Sequence, residues 1–259
     1  MGIDLIPMPF FVDGETYLEG KDCTPETFFQ RMKAGAEIST SQPAPEEITS
    51  LWDTLLKTHD AVLHFPMSSG LSGSCHTAKA LAQEYGGRVL VVDDRRISVT
   101  LAQSIRNAQV LLAQGKTAAE VRDILEAERD ASSVYIAVNT LEYLHKGGRL
   151  PASMAVVGTL LKVKPLITLR EGEVGILGKG LGVKNGLDNL LKLMGDEIHP
   201  EPRLPLYFGY TQTHNLCDQL RERVVEKYHP ARVEQNSVGA VVGTHVGPDG
   251  AVVVYLDQE

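Results

Sequence analysis

Four stretches of this chain place hydroxyls, a histidine or an arginine at the ends of apolar runs, where an anion could be held. Thr40-Ser41-Gln42-Pro43 sets three polar side chains in a row before a proline that fixes the backbone at a helix start. Hydroxyls and free amides at such a start can hold an anion, although Ser and Thr also suit a plain capping loop. Ser68-Ser69-Gly70-Leu71-Ser72-Gly73-Ser74 follows the apolar strand Ala61–Phe65. In α/β folds ligands gather beyond the carboxyl ends of strands, and glycines there let the backbone approach closely. The loop carries no lysine or arginine, which suits a singly charged carboxylate better than a nucleoside triphosphate; a Ser/Gly-rich connector reads the same way. His245 lies in Gly243-Thr244-His245-Val246-Gly247-Pro248, read as the end of a small-residue strand. A histidine there can donate to a carboxylate or carry charge, or be merely structural. Gly147-Gly148-Arg149 follows a helical Leu141–Lys146. The glycines end the helix and the arginine stands on an exposed turn, suited to a phosphate, to an acidic partner or to a solvated C-cap.

Other motifs fail on spacing. Gln114-Gly115-Lys116-Thr117 resembles the end of a phosphate-binding loop, but Val110 occupies the place of the earlier glycine. Gly70-Leu71-Ser72-Gly73 lacks the spacing of a nucleophile elbow. Gly178-Lys179-Gly180-Leu181-Gly182 lies in a hairpin region rather than after a first strand, so it is no dinucleotide fingerprint. Paired carboxylates at ligand spacing are absent, and Cys23, Cys75 and Cys217 form no C-x-x-C pair. The expectation is therefore no metal, no cofactor, no disulfide framework and a reducing, cytoplasmic setting.

The elements that must position these residues alternate in the first half. Strands are predicted at Ile3–Val12, Ala61–Phe65, Arg88–Val92 and Val134–Val138. Helices are predicted from Thr24-Pro25-Glu26, over Pro45–Leu56 and Cys75–Tyr85, and over Ile97–Gln114 and Thr117–Asp130. That alternation predicts an α/β domain with a mainly parallel sheet. The second half reads as α+β: a hairpin of Leu166–Leu169 and Val174–Leu177, helices at Val183–Ile198 and His214–Lys227, and β segments at Leu206–Tyr210, Ala231–Gln235, Ala240–Thr244 and Ala251–Leu256. The expected cut separates residues 1–146 from 147–259.

The bulk numbers set limits. A chain of 259 residues suits one large or two modest domains, and a net charge of −8 disfavours general nucleic-acid binding. The first residues lack the basic region of a signal peptide, and no apolar run nears the roughly 20 residues of a membrane span.

Taken in series, Thr40-Ser41-Gln42-Pro43, Ser68–Gly73, Asn139-Thr140-Leu141-Glu142-Tyr143-Leu144 with Gly147-Gly148-Arg149, Lys164-Pro165-Leu166 and His245-Val246-Gly247-Pro248 resemble the DegV family in order and spacing across essentially the whole chain. The resemblance implies a bacterial fatty-acid-binding protein of two α/β domains with the acyl chain buried between them. It implies a role as the acyl-carrying subunit of a two-part fatty acid kinase, whose other subunit binds ATP, rather than a complete enzyme. It assigns Thr40 and Ser72 to the carboxylate, with Gly73 contributing backbone and His245 nearby, and Arg149 to the kinase encounter and phosphoryl transfer. The chain departs from the family pattern in three places. The family's first strand and Asp-Ser-Thr turn are missing, Leu181 stands where members often carry an arginine, and Asp249 follows Pro248 where glycine is usual. Two alternatives stay open: a lipid carrier without a kinase partner, and an acyl hydrolase using a serine of the 68–74 loop with His245 as base.

Overall fold

The computed structural model describes residues 2–130, 132–150, 163–197 and 205–256. Strands β1 (Pro9–Val12) and β2 (Glu15–Leu18) form a hairpin, closed by Asp13 and Gly14 at φ 52° and 83°. Positive φ at both central residues matches the right-handed twist of the strands. The strand is shorter than the expected Ile3–Val12, because Pro7 and Pro9 remove alternate N–H donors from the ladder. Helix α1 (Pro25–Lys33) starts as expected: Thr24 Oγ1 accepts from Thr27 N, and Pro25 occupies the first turn. Strand β3 (Ile38–Thr40) returns antiparallel to β1, with Phe10 opposite Thr40.

The chain then runs through α2 (Pro45–Leu55), β4 (Val62–His64), α3 (Ser74–Ala82), β5 (Val89–Val91), α4 (Ser98–Ala113) and α5 (Ala118–Ala127). It continues through β6 (Ser132–Ala137), α6 (Glu142–Lys146), β7 (Val163–Arg170), β8 (Glu173–Leu181) and α7 (Gly182–Glu197). The last elements are β9 (Pro205–Tyr210), α8 (Asn215–Tyr228), β10 (Arg232–Ser237), α9 (Ala240–Val246) and β11 (Ala251–Leu256).

Two compact units emerge, interleaved in sequence where the sequence reading placed a single cut after Lys146. Unit 1 comprises Met1–Met8, Gln42–Ala131 and Glu171–Glu173; unit 2 comprises Pro9–Ser41, Ser132–Arg170 and Val174–Glu259. Part of the reason lies in strand pairing: β6 lies between β7 and β11, both later in the chain, and so joins the unit they build.

Unit 1 is an α/β layer around the parallel pair β4–β5. Alternation along these strands serves two clusters. Val89 and Val91 pack with Ile48, Trp52, Cys75 and Ala78 from α2 and α3, while Val92 packs with Ala108, Val121 and Leu125 from α4 and α5. Unit 2 holds a six-stranded sheet in the order β10-β9-β11-β6-β7-β8 and a three-stranded sheet in the order β2-β1-β3. The larger sheet is mixed: β9 and β10 run parallel, and β9–β11, β11–β6 and β6–β7 antiparallel. Leu187, Leu190 and Met194 of α7 and Leu216, Leu220 and Val224 of α8 recur at helical spacing and bury against Tyr135, Leu166, Phe208 and Val253 of the sheet.

One predicted strand is a helix. Ala240–Val246 forms α9, with Ala240, Val241, Gly243, Thr244 and Val246 buried. A short apolar run carries no period that separates strand from buried helix, and here tertiary packing decides.

Candidate functional site

Thr40 ends β3 and His245 lies in the last turn of α9, 205 residues later; their Oγ1 and Nε2 atoms lie 3.1 Å apart. The histidine closes a short helix rather than ending a strand. Burial, with the Arg149 guanidinium as a second cause, pushes its pKa down to about 4, so the imidazole is neutral at pH 7. One ring nitrogen then bears a proton and the other accepts. Nδ1 is buried without a hydrogen-bond partner among the described residues.

Gly147 makes room for that nitrogen. A Cβ on Gly147 would stand 2.1 Å from His245 Nδ1, whereas one on Gly148, at φ +68°, would meet nothing within 4 Å among the described residues. The glycine pair thus serves two needs, space at one position and left-handed backbone at the next. Arg149 is half-buried rather than exposed: its Nη1 donates to the Gly147 carbonyl at 2.6 Å, and its charge reaches His245. The turn folds the guanidinium back toward the site instead of out to solvent.

The loop after α9 is built from both sides. Thr211 Oγ1 donates to Gly247 O at 2.6 Å and accepts from Gly250 N at 2.7 Å. Asn139 Nδ2 donates to Pro248 O at 3.2 Å, and Lys164 Nζ donates to Asn139 Oδ1. Asp249 meets Lys33 Nζ at 3.1 Å and Thr213 Oγ1 at 2.7 Å. Asn139, Lys164 and Pro248, which belong to separate motifs of the sequence, therefore form one hydrogen-bonded chain.

Ser72 and Gly73 belong to unit 1, at the start of α3. Ser72 is buried, and its Oγ accepts from Ser74 N at 3.2 Å. Gln42 Oε1 accepts from Thr77 Oγ1 at 3.0 Å, and a Cβ on Gly73 would stand 3.3 Å from it. Ser68 Oγ donates to Gly172 O at 2.8 Å and accepts from Gly70 N at 3.3 Å. Among the described residues, Ser68 Oγ thus donates to a backbone carbonyl and both hydroxyl oxygens accept from backbone N–H groups. Ser74 Oγ is buried without a hydrogen-bond partner among the described residues.

Sequence reasoning missed Gly147 as a neighbour of His245 and missed Glu19, whose Oε1 accepts from Val241 N at the start of α9 at 2.9 Å. The glycine pair was visible, but a contact across 98 positions leaves no local signal. Among the described residues no group of three or more His, Cys, Asp or Glu could hold a metal ion, and no helix is long and apolar enough to cross a membrane. Cys23, Cys75 and Cys217 are free thiols.

A family model described as "Uncharacterised protein, DegV family" matches residues 1–258. A DegV domain-containing protein of Deinococcus radiodurans is 30% identical over 258 residues, covering 99% of this chain and 92% of that protein. A solved structure described as fatty acid binding of a DegV family protein from Thermus thermophilus superimposes with a TM-score of 0.86 at 33% identity, over 96% of this chain and 90% of that one. The Streptococcus pneumoniae fatty acid kinase B3 protein, solved loaded with linoleic acid, shares the fold with a TM-score of 0.80 at 17% identity, over 97% of this chain and 90% of that one.

Proposed function

This chain belongs to the DegV family, and from that premise we propose that it binds a long-chain fatty acid and presents the carboxylate to an ATP-binding kinase subunit in the cytoplasm. Thr40, Ser72, Gly73 and His245 are the residues proposed to hold the carboxylate. The observation that carries this reading is the neutral His245, paired through Nε2 with Thr40 and carrying a buried nitrogen with no partner among the described residues. A buried carboxylate needs donors, because an unpaired charge away from water is costly. Withdrawing the acyl tail from water contributes about 0.8 kcal/mol per CH₂. The Thermus thermophilus relative, described by its fatty acid binding, supports the ligand class.

The kinase step is the finer part of the proposal. Arg149 is the residue proposed to act in phosphoryl transfer, since a guanidinium suits a phosphate geometrically. That the Streptococcus pneumoniae protein is described as a fatty acid kinase B3 protein supports that direction. A specific feature favours a second reading, that of a carrier without a kinase: Leu181, where members often carry an arginine, is 68% exposed. Hydrolysis with Ser68 as nucleophile is disfavoured, because its hydroxyl proton is committed to Gly172 O.

Native mass spectrometry of the purified protein tests ligand class directly, because a co-purified fatty acid adds its own mass. A protein that neither co-purifies with nor takes up a long-chain acid would overturn the reading. Mixing the loaded protein with a kinase subunit and ATP then separates subunit from carrier by the appearance of acyl phosphate.

A further inference from the structure

Helix α9 begins without a side-chain cap of its own. Its N-cap residue is Gly239, in extended conformation with φ −67° and ψ 168°. The first N–H groups of a helix need acceptors, and glycine offers none from its side chain. Val241 N finds one 222 residues away, on Glu19 Oε1 at 2.9 Å. Gly239 is what lets the carboxylate in: a Cβ there would stand 2.3 Å from Glu19 Oε1. Glu19 is itself held in place, one residue past β2, in a turn where Lys21 N and Asp22 N donate to Leu18 O and Asp22 Oδ2 accepts from Leu18 N.

The other end of α9 carries His245, which meets Thr40 of β3. Strands β2 and β3 flank β1 in one sheet, so a single small sheet grips both ends of the helix. Midway, Gly243 lies against Phe29 of α1, where a Cβ would stand 2.6 Å from the ring. Seven residues rise only about 10 Å, so a pivot at Gly243 after loss of the N-terminal grip moves the His245 ring by a comparable angle at the far end.

We infer that Glu19 is a positioning residue for His245: its carboxylate caps α9 and thereby sets the imidazole against Thr40. The inference rests on the reading of His245 as a head-group ligand only for its effect on binding, not for its effect on the ring. The carboxylate is buried enough that its pKa is raised, with the Val241 N–H opposing that rise, as expected of a group whose main solvation is a helix start.

The test uses the full chain with Glu19→Ala, Glu19→Gln and Gly239→Ala. His245 is followed by NMR titration of its imidazole, assigned with His245→Gln, and oleate affinity is measured by calorimetry. Glu19→Ala is expected to shift the His245 resonances, to move its pKa up from about 4, and to weaken oleate binding about tenfold. Glu19→Gln keeps an acceptor oxygen for Val241 N and is expected to restore both readouts. Gly239→Ala, which leaves Glu19 present but displaced, is expected to reproduce the alanine effect and serves if Glu19→Ala fails to fold. An unchanged His245 titration in the folded Glu19→Ala and Gly239→Ala proteins overturns the inference, as does a glutamine variant as impaired as the alanine one. If wild-type protein binds no oleate, the ligand reading fails while the titration still judges Glu19.

Discussion

At the scale of single residues, His245 is the centre of the proposed head-group site. Its neutrality follows from burial first and from Arg149 second. Arg149→Ala should therefore lift the His245 pKa from about 4 toward the ordinary value of 6.5, stopping short of it because burial remains. An NMR titration of the ring checks this, and a pKa that stays put would place Arg149 too far away to act on the site. A second histidine, His64 at the end of β4, is likewise held at about 4 by burial and packs edge-on against Trp52 at 5.2 Å. Both have folded-state values below that of an unfolded histidine, so between about pH 4 and 6.5 the unfolded chain binds more protons. Stability from these groups is thus present above about pH 6.5 and lost as pH falls toward about 4. His245→Gln should flatten part of that dependence, read as a smaller drop in urea midpoint between neutral and acid pH than the wild type shows. An identical drop in both proteins would mean that His245 titrates normally.

At the scale of elements, the two glycines after α6 predict two different failures. Gly147→Ala drives a methyl into His245 Nδ1 and should cost about 1–3 kcal/mol with loss of fatty-acid affinity. Gly148→Ala meets no neighbour among the described residues but forces an L-residue into left-handed backbone, costing about 1–2 kcal/mol with affinity kept. Denaturation and binding measured on both variants separate them; equal loss of affinity would refute the distinction. The elements also show what local sequence can carry. The start of α1 was legible in Thr24-Pro25-Glu26, and the alternation through unit 1 in its apolar runs, because caps and periodicity act over a few residues. Helix α9 was not, since six of its seven residues are small or β-branched and suit a strand equally, and its cap comes from Glu19. Thr40 and His245 were each legible as polar groups at an element end, and their meeting is a product of the β1–β3 pairing and the seat of α9. The exposure expected of Arg149 failed for a like reason, for a turn's direction is fixed by the carbonyl it folds onto.

At the scale of the whole molecule, a ligand that binds only the folded chain must stabilise it. Fatty acid at a hundred times its dissociation constant should add about 2.7 kcal/mol. For a chain of this size that raises the melting temperature by on the order of 5–10 °C. A thermal melt with and without oleate reads it, and coincident curves would argue against binding to the native state. The central place of β11 in the large sheet bears on how the chain is made. Strands β6 and β9 each pair with β11, and β11 follows both of them in the chain. Residues 42–131 of unit 1 are complete on the ribosome long before the sheet of unit 2 can close. Until Ala251–Leu256 emerges, β6 and β9 wait as open edges, the kind of surface that neighbouring nascent chains can pair with. A frameshift or nonsense codon after α9 but before residue 251 would leave those edges open for good while keeping Thr40, Ser72 and His245, so the damage from so late a truncation should be measured in aggregates rather than in lost affinity.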